Sequence, residues 1–149
     1  MDAKISTLLN ATQRVEGFVY GHTRLVRAPG GLRIEVDVRA HKQRAAKCST
    51  CQCAAPGYDH LELREWMGIP IFGIAVSLRY APRRVTCPTH GVIVEHMPWN
   101  EGKHPMAVTM MVFLAQWARR LSIKEVGDVF HVGWHLRPAS RSFRRLGRP

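Results

Sequence analysis

The chain has 149 residues, which is enough for one compact domain or two small ones, and its first 47 residues could hardly bury a hydrophobic core alone. Its 22 Lys and Arg residues outnumber its 11 Asp and Glu residues, and the formal net charge of +11 favours a polyanionic partner. No apolar run approaches the roughly 20 residues of a membrane-spanning helix and no secretion signal is recognisable, so we expect a cytoplasmic protein rather than a membrane or secreted one.

Residues 1–47 are predicted to form a short helix followed by a β-hairpin. Ile5, Leu8 and Leu9 recur at helical spacing, which predicts a helix over about residues 2–13. A stretch rich in β-branched and aromatic residues then reaches an Ala-Pro-Gly-Gly turn at 28–31. Residues 32–40 alternate between apolar and charged or small side chains, which predicts a second strand with one buried face.

Two residue pairs with the same two-residue gap indicate a zinc site. Cys48 and Cys51 form a C-x-x-C pair, and Cys87 and His90 form a C-x-x-H pair. A two-residue gap lets both side chains of a tight knuckle converge on one ion, and two knuckles complete a tetrahedral ligand set. In a reducing cytoplasm such pairs are better interpreted as metal ligands than as a disulfide framework. We therefore predict one structural zinc ion, with Gly91 supplying the positive φ that the second knuckle needs.

Alternatives to this ligand set stay open at the level of sequence. Cys53 extends the first pair to C-x-x-C-x-C and could replace Cys51, although the two-residue gap favours Cys51. The cysteines could instead be buried or free thiols, because unpaired cysteine is among the most buried residue types. A third interpretation makes Cys53 or Cys87 a catalytic nucleophile beside a histidine, and convergence of the thiols on a metal position would argue against it.

Residues 48–98 are predicted to form a zinc ribbon. Apolar side chains alternate with small or charged ones over 72–80, which predicts a strand. Its expected partner strand covers 61–66, and residues 67–70 are expected to turn the chain between the two strands. We predict that Trp66 lies in the core rather than acting as a base-stacking platform, because its strand needs apolar cover.

The chain then returns through the second pair and changes character. The segment of Arg83 and Arg84 is expected to be extended as far as Cys87. The hairpin of the two preceding strands would then place both knuckles at one end of the ribbon. Residues 92–96 are predicted to form a short strand, and the segment 99–136 to form a helical unit after a boundary at 101–104. Pro105 suits the first position of a helix.

The helical unit has the pattern of a helix-turn-helix. Ser122, three residues before Glu125, predicts a capping box at the start of a second helix, after a first helix that ends near Arg119 and Arg120. Residues 131–133 are then expected to turn the chain into a third segment that begins near Trp134. The apolar stripe of the first helix is predicted to consist of Met110, Phe113, Leu114, Trp117 and Leu121.

The residues around the second pair and the first helix resemble a family of bacterial insertion-sequence transposases, the ISL-three family. The resemblance covers roughly residues 45–136. It is carried by Arg-Val-Thr-Cys-Pro-Thr-His-Gly-Val at 84–92, Glu95, Pro-Trp at 98–99, Glu-Gly-Lys-His at 101–104, Phe-Leu-Ala-Gln-Trp-Ala-Arg-Arg-Leu-Ser at 113–122 and Lys-Glu-Val at 124–126.

This resemblance implies a zinc-binding region, a helix-turn-helix and, in full-length members, a long DDE nuclease domain that cuts and joins DNA. It implies that Cys48, Cys51, Cys87 and His90 are the zinc ligands, with His90 where other members have a fourth cysteine. None of the family's catalytic acids can be placed on this chain, so we expect no enzymatic activity from it. Contacts to double-stranded DNA are expected from Arg83, Arg84, Lys103, Arg119, Arg120, Lys124, Trp134 and Arg137.

The chain departs from the family pattern after Leu136. Pro138 would break a helix begun at Trp134, and the Arg- and Ser-rich residues 137–149 are expected to be a disordered basic tail, read out of frame or evolved as such. We therefore expect a truncated transposase fragment, associated with the bacterial nucleoid, that binds the terminal inverted repeats of its element without cutting them. The alternative is a free-standing DNA-binding regulator that represses the element's promoter or competes with full-length transposase.

Overall fold

The computed structural model describes residues 4–132, and this part of the chain has the predicted α+β composition. The predicted third helical segment from Trp134 and the tail 137–149 lie outside the described residues. In chain order the elements are α1 (Ile5–Thr12), β1 (Phe18–Ala28), β2 (Gly31–Ala40), β3 (Gly57–His60), β4 (Arg64–Ile71), β5 (Ile74–Tyr80), β6 (Arg83–Cys87), β7 (Gly91–Val94), α2 (Val108–Trp117) and α3 (Ile123–Val129).

Four strands form the larger sheet, in the order β1-β2-β5-β4. The predicted helix and β-hairpin at the start of the chain are confirmed as α1, β1 and β2. Strand β2 also pairs with β5, and this pairing is parallel. The sheet therefore joins strands from both sides of the boundary that the sequence analysis placed after residue 47.

One face of this sheet carries the main hydrophobic core. Trp66 is fully buried there, as predicted, and its indole Nε1 donates a hydrogen bond of 2.9 Å to Asn100 Oδ1. Trp99 packs edge-to-face against Trp66, with 5.7 Å between the ring centroids. The other buried members of this core are Leu9, Phe18, Tyr20, Ile34, Val36, Val38, Val76, Leu78, Tyr80, Met97 and Ala107.

The prediction for the strand before β5 was wrong in its limits. Strand β4 extends through the predicted turn at 67–70, and the chain turns instead at Phe72 and Gly73. The physical reason is a non-local contact. The Met67 amide donates to the Pro105 carbonyl at 2.8 Å, and the Ala107 amide donates to the Met67 carbonyl at 2.9 Å, so a distant segment holds this part of the chain extended.

The smaller sheet has three antiparallel strands in the order β3-β6-β7. Strand β6 lies in the centre and ends at Cys87, and β7 begins at Gly91. The predicted strand over 92–96 is thus confirmed in part. The sheet places the second cysteine-containing pair on a short turn between two paired strands.

The two helices that follow pack through buried methionines and Leu114, with Val126 from α3. Pro105 does not open α2, which begins at Val108, because the Pro105 carbonyl and the Ala107 amide are engaged with β4. The capping box at the start of α3 is confirmed, since Glu125 N donates to Ser122 Oγ and Ser122 N donates to the Glu125 carboxylate. None of the helices within residues 4–132 has the length and apolar character that spanning a membrane requires.

Candidate metal centre

The first knuckle is a tight backbone loop closed on itself. The Cys48 amide donates to the Cys53 carbonyl at 2.9 Å, and the Gln52 amide donates to the Cys48 carbonyl at 2.9 Å. Gln52 takes a positive φ of 58° to close this loop, which the sequence did not signal because the residue is not a glycine. The loop turns the side chains of Cys48 and Cys51 in one direction.

The second knuckle lies between β6 and β7. Cys87 is the last residue of β6, and the turn brings the His90 ring back over it. Gly91 has a φ of 70°, which confirms the predicted need for a residue that tolerates this region. Backbone bonds hold the two knuckles together: Cys48 bridges to Glu95, and the His96 amide donates to the Lys47 carbonyl at 2.7 Å.

The four predicted ligands converge. The sulfur atoms of Cys51 and Cys87 lie 3.6 Å apart, and His90 Nδ1 lies 3.5 Å from Cys87 Sγ and 3.7 Å from Cys48 Sγ. All four ligand atoms lie within 4.8 Å of one another. The cysteines are free thiols and not a disulfide. The arrangement is compatible with a metal site.

Three of the six separations in this cluster are close to those of a tetrahedral zinc site. Zinc bound at about 2.3 Å to sulfur and about 2.0 Å to nitrogen holds two sulfurs about 3.8 Å apart and holds sulfur about 3.5 Å from nitrogen. The three separations of 3.5 to 3.7 Å are close to these values, and the other pairs of ligand atoms lie within 4.8 Å. Nδ1 is the nitrogen of His90 that faces the sulfurs.

Cys53 lies outside the cluster. It is exposed, and its thiol donates to the Cys51 carbonyl at a distance of 3.7 Å. Cys53 contributes to the knuckle through its backbone, because its carbonyl accepts a hydrogen bond from the Cys48 amide. The geometry favours Cys51 over Cys53 as the ligand. It also places Cys87 among other ligand atoms, with the His90 ring shared between two sulfurs, which does not suit a dedicated nucleophile and base.

The electrostatics of the cluster favour a thiolate at Cys48. Backbone amides, above all that of Cys51 and then that of Thr50, hydrogen-bond to the sulfur and lower the pKa of Cys48 to about 6. Hydrogen bonding to Cys87, together with the charge on the neighbouring sulfurs, raises the pKa of His90. An incoming metal ion must displace any proton on this imidazole, so binding is linked to pH.

A buried ion pair next to the knuckles connects the two sheets. Glu95 is 1% exposed, and its carboxylate accepts from the Tyr80 hydroxyl at 2.5 Å and from the Arg83 guanidinium at 2.6 and 2.9 Å. Burial, followed by the hydrogen bond to Glu95, raises the pKa of Tyr80. Tyr80 belongs to the larger sheet and Arg83 to the smaller one. Glu95 is among the residues that carry the family resemblance, but no spacing rule relates it to Arg83, so this contact could not be predicted from the sequence.

The basic residues predicted to contact DNA lie in three different environments. Arg83 is engaged by Glu95, and Arg84 pairs with Asp59 while its guanidinium lies 5.3 Å from the centre of the Tyr58 ring. The other predicted contacts within residues 4–132 are exposed, namely Lys103, Arg119, Arg120 and Lys124. Trp134 and Arg137 lie outside the described residues.

Sequence comparison relates part of this chain to known transposases. It is 34% identical over 73 residues to the transposase for insertion sequence element IS1557 of Mycobacterium tuberculosis strain CDC 1551 / Oshkosh, and equally to that of strain ATCC 25618 / H37Rv. The match covers 48% of this chain and 16% of the length of each relative. No protein-family model matches the chain, and no solved structure matches it. About half of this chain is thus similar in sequence to a small part of a transposase.

Proposed function

We propose that this chain contains a zinc-dependent DNA-binding module that acts at the ends of an insertion element and is related to ISL-three transposases. The observation that carries the proposal is the convergence of Cys48, Cys51, Cys87 and His90 in a basic chain that is similar in part to a transposase. The transposition role is supported by the similarity of part of this chain to two insertion-sequence transposases.

Zinc is the ion that best suits this ligand set. Three thiolates and one imidazole are soft or borderline donors, and a closed set of four with no carboxylate is typical of structural rather than catalytic zinc. The small hydrophobic cluster around the knuckles consists of Ala46, Cys48, Ala55, Val85 and Cys87. So little apolar burial favours a metal as the main stabilising element of this region.

Binding to double-stranded DNA is proposed from charge together with the relatives. The chain has a formal net charge of +11, and Lys103, Arg120 and Lys124 are exposed near the two helices. Phosphates are the natural partners of such side chains. Because Arg83 is committed to Glu95 in the structure, we now assign it to structural support rather than to a DNA contact.

We further propose that this chain binds DNA and does not cut it. Strand transfer by a DDE nuclease needs carboxylates that are free to hold divalent cations. Within residues 4–132, the cluster suited to a metal ion contains cysteine and histidine only. Glu35 and Asp37, two acids on β2, form ion pairs with arginines instead of holding a cation.

The test combines binding and cleavage on the same preparation. Zinc-loaded protein is titrated into labelled duplexes that carry either an insertion-element terminal repeat or its scrambled sequence, with fluorescence anisotropy as the readout. We expect binding to both duplexes and no nicking or joining with Mg²⁺ or Mn²⁺. If the protein binds neither duplex at low salt, the DNA-binding proposal is refuted. Metal-dependent nicking would refute the proposal that this chain does not cut DNA.

A further inference from the structure

Phe72 is the most exposed of the large apolar side chains within residues 4–132. Its residue surface is 98% exposed, at the tip of the hairpin that joins β4 to β5. Phe72 and Gly73 have φ values of 52° and 74°. Consecutive positive φ values suit a two-residue hairpin turn in which Asn-Gly is the preferred pair, and they disfavour a bulky aromatic residue. Folding alone therefore gives no reason for a phenylalanine at this position.

Other exposed apolar residues lie at the same end of the larger sheet. Because β2 runs parallel to β5, with Ile34 beside Val76, the β1–β2 turn and the β4–β5 turn are at one end of the sheet. Leu25 is 58% exposed and Leu32 is 47% exposed near the β1–β2 turn. Leu25 pairs with Ile34, so it lies on the same face as Leu32. We call Leu25, Arg27, Leu32 and Phe72 the hairpin end.

Within residues 4–132, this end of the sheet carries one positive charge that no acidic side chain neutralises. The segments 25–34 and 66–76 contain Arg27 and Arg33 and no acidic residue. Arg33 pairs with Glu35 at 2.7 Å and with Glu65 at 3.6 Å, whereas Arg27 is exposed and its guanidinium has no ion-pair or hydrogen-bond partner among the described residues. A protruding aromatic ring thus stands on the same end of the sheet as an available positive charge.

We propose that the hairpin end is a second DNA contact, in which Phe72 inserts as an apolar wedge between two base pairs while Arg27 contacts a phosphate. The inference rests on the proposed DNA-binding function. A two-residue turn exposes a single aromatic ring rather than a broad apolar surface. Such a ring can insert from the minor groove between two base pairs that have become unstacked. The backbone strain at Phe72 agrees with this assignment, since strained residues cluster at functional positions.

The decisive variant is Phe72→Asn in the full zinc-loaded chain. Asparagine tolerates the positive φ and forms the preferred Asn-Gly turn, so the variant is expected to melt at the same temperature as the parent or higher. The matched control is Leu63→Asn, which replaces another exposed apolar residue, 51% exposed, in the segment before β4. Both variants change one exposed apolar side chain to the same amide.

The readout is the topology of DNA. A closed circular plasmid is relaxed by a topoisomerase in the presence of each protein, because a wedge between base pairs unwinds and kinks the duplex and shifts the topoisomer distribution. We expect a shift with the parent and with Leu63→Asn, no shift with Phe72→Asn, and about tenfold weaker duplex binding by Phe72→Asn.

The outcomes separate this inference from the proposed function. If the parent binds no duplex, the proposed function fails and this inference fails with it. If the parent binds duplex but Phe72→Asn binds equally and gives the same topoisomers, the wedge alone is refuted. If Phe72→Asn leaves DNA binding and topology unchanged and lowers the molecular mass measured by light scattering, the hairpin end joins two copies of the chain, and the wedge is likewise overturned.

Discussion

At the scale of single residues, the four candidate metal ligands and the acid beside them have different expected roles. Cys48, Cys51, Cys87 and His90 were predicted from spacing, and the structure brings their ligand atoms together. Glu95 was not predicted, although it lies fully buried against the first knuckle and holds Arg83. The ligands are expected to control metal affinity, and Glu95 to control the stability of the surrounding protein.

Replacing Cys87 by alanine should abolish stoichiometric zinc binding, because a tetrahedral site that loses a buried thiolate loses one of its four bonds. Cys53→Ala is the matched control, and it should retain one zinc per chain because that thiol lies outside the cluster. Metal content after dialysis, measured by atomic emission, checks both variants. Loss of zinc in Cys53→Ala with retention in Cys87→Ala would invert the ligand assignment.

Zinc affinity should fall as the pH is lowered. The raised pKa of His90 means that its imidazole begins to take up a proton above the ordinary value of 6.5, and the Cys48 thiolate is lost below about pH 6. Both protonations remove a ligand atom from the metal, so both lower the zinc affinity as the pH falls. Competition with a chromophoric chelator between pH 8 and pH 5 (roughly the range that spans these values) measures the loss. His90→Cys should keep zinc and lose the histidine part of this dependence.

Glu95→Gln should destabilise the protein by about 3 kcal/mol, because it leaves the Arg83 guanidinium without its charged partner in a largely buried position. Glu62→Gln is the matched control, since Glu62 is exposed and should change stability by less than about 0.5 kcal/mol. Urea unfolding of the zinc-loaded proteins compares the two. Equal midpoints for both variants would show that the ion pair does not stabilise the fold.

At the scale of elements, some helix and strand limits depend on neighbouring residues and others depend on contacts between distant parts of the chain. The capping box predicted the start of α3 correctly because its two hydrogen bonds join residues only three positions apart. The limits of β4 and the start of α2 were predicted wrongly, and both errors have one cause. The segment 105–107 bonds to β4 at Met67, which extends the strand through a Gly-Ile-Pro sequence and delays the helix to Val108.

Removing the cap of α3 tests the local part of this account. Ser122→Ala should lower stability by about 1 kcal/mol, because it leaves the Glu125 amide without its side-chain acceptor, whereas Ser122→Asp should be close to neutral. Thermal unfolding followed by circular dichroism measures both. A Ser122→Ala protein as stable as the parent would indicate that the helix depends on the packing of Val126 rather than on its cap.

At the scale of the whole molecule, the main core and the metal region are separate hydrophobic clusters joined by the Tyr80–Glu95–Arg83 network. The larger sheet buries two tryptophans and many aliphatic side chains, whereas the knuckles bury small residues and cysteines. The larger sheet should therefore keep its structure when zinc is withdrawn, and the smaller sheet should not.

Zinc removal by a chelator should increase amide hydrogen exchange in β6 and β7 far more than in β2 and β5. The reason is that β6 ends at the second knuckle and β7 begins there, while β2 and β5 contribute to the tryptophan-containing core. Exchange followed by mass spectrometry with and without chelator gives the comparison. Uniform exchange across all four strands would mean that the molecule unfolds as one cooperative unit.

The sequence by itself determined the features that depend on neighbouring residues: the two ligand pairs, the alternation in β2 and β5, the N-terminal helix and the cap of α3. Each is encoded within a few positions, where spacing alone fixes which side chains share a face or an ion. Only the tertiary structure decided that β2 pairs with β5, that residues 105–107 cover the edge of β4, and that Glu95 pairs with Arg83. These contacts join residues far apart in the chain, and such pairings leave no periodicity in the sequence from which they could be predicted.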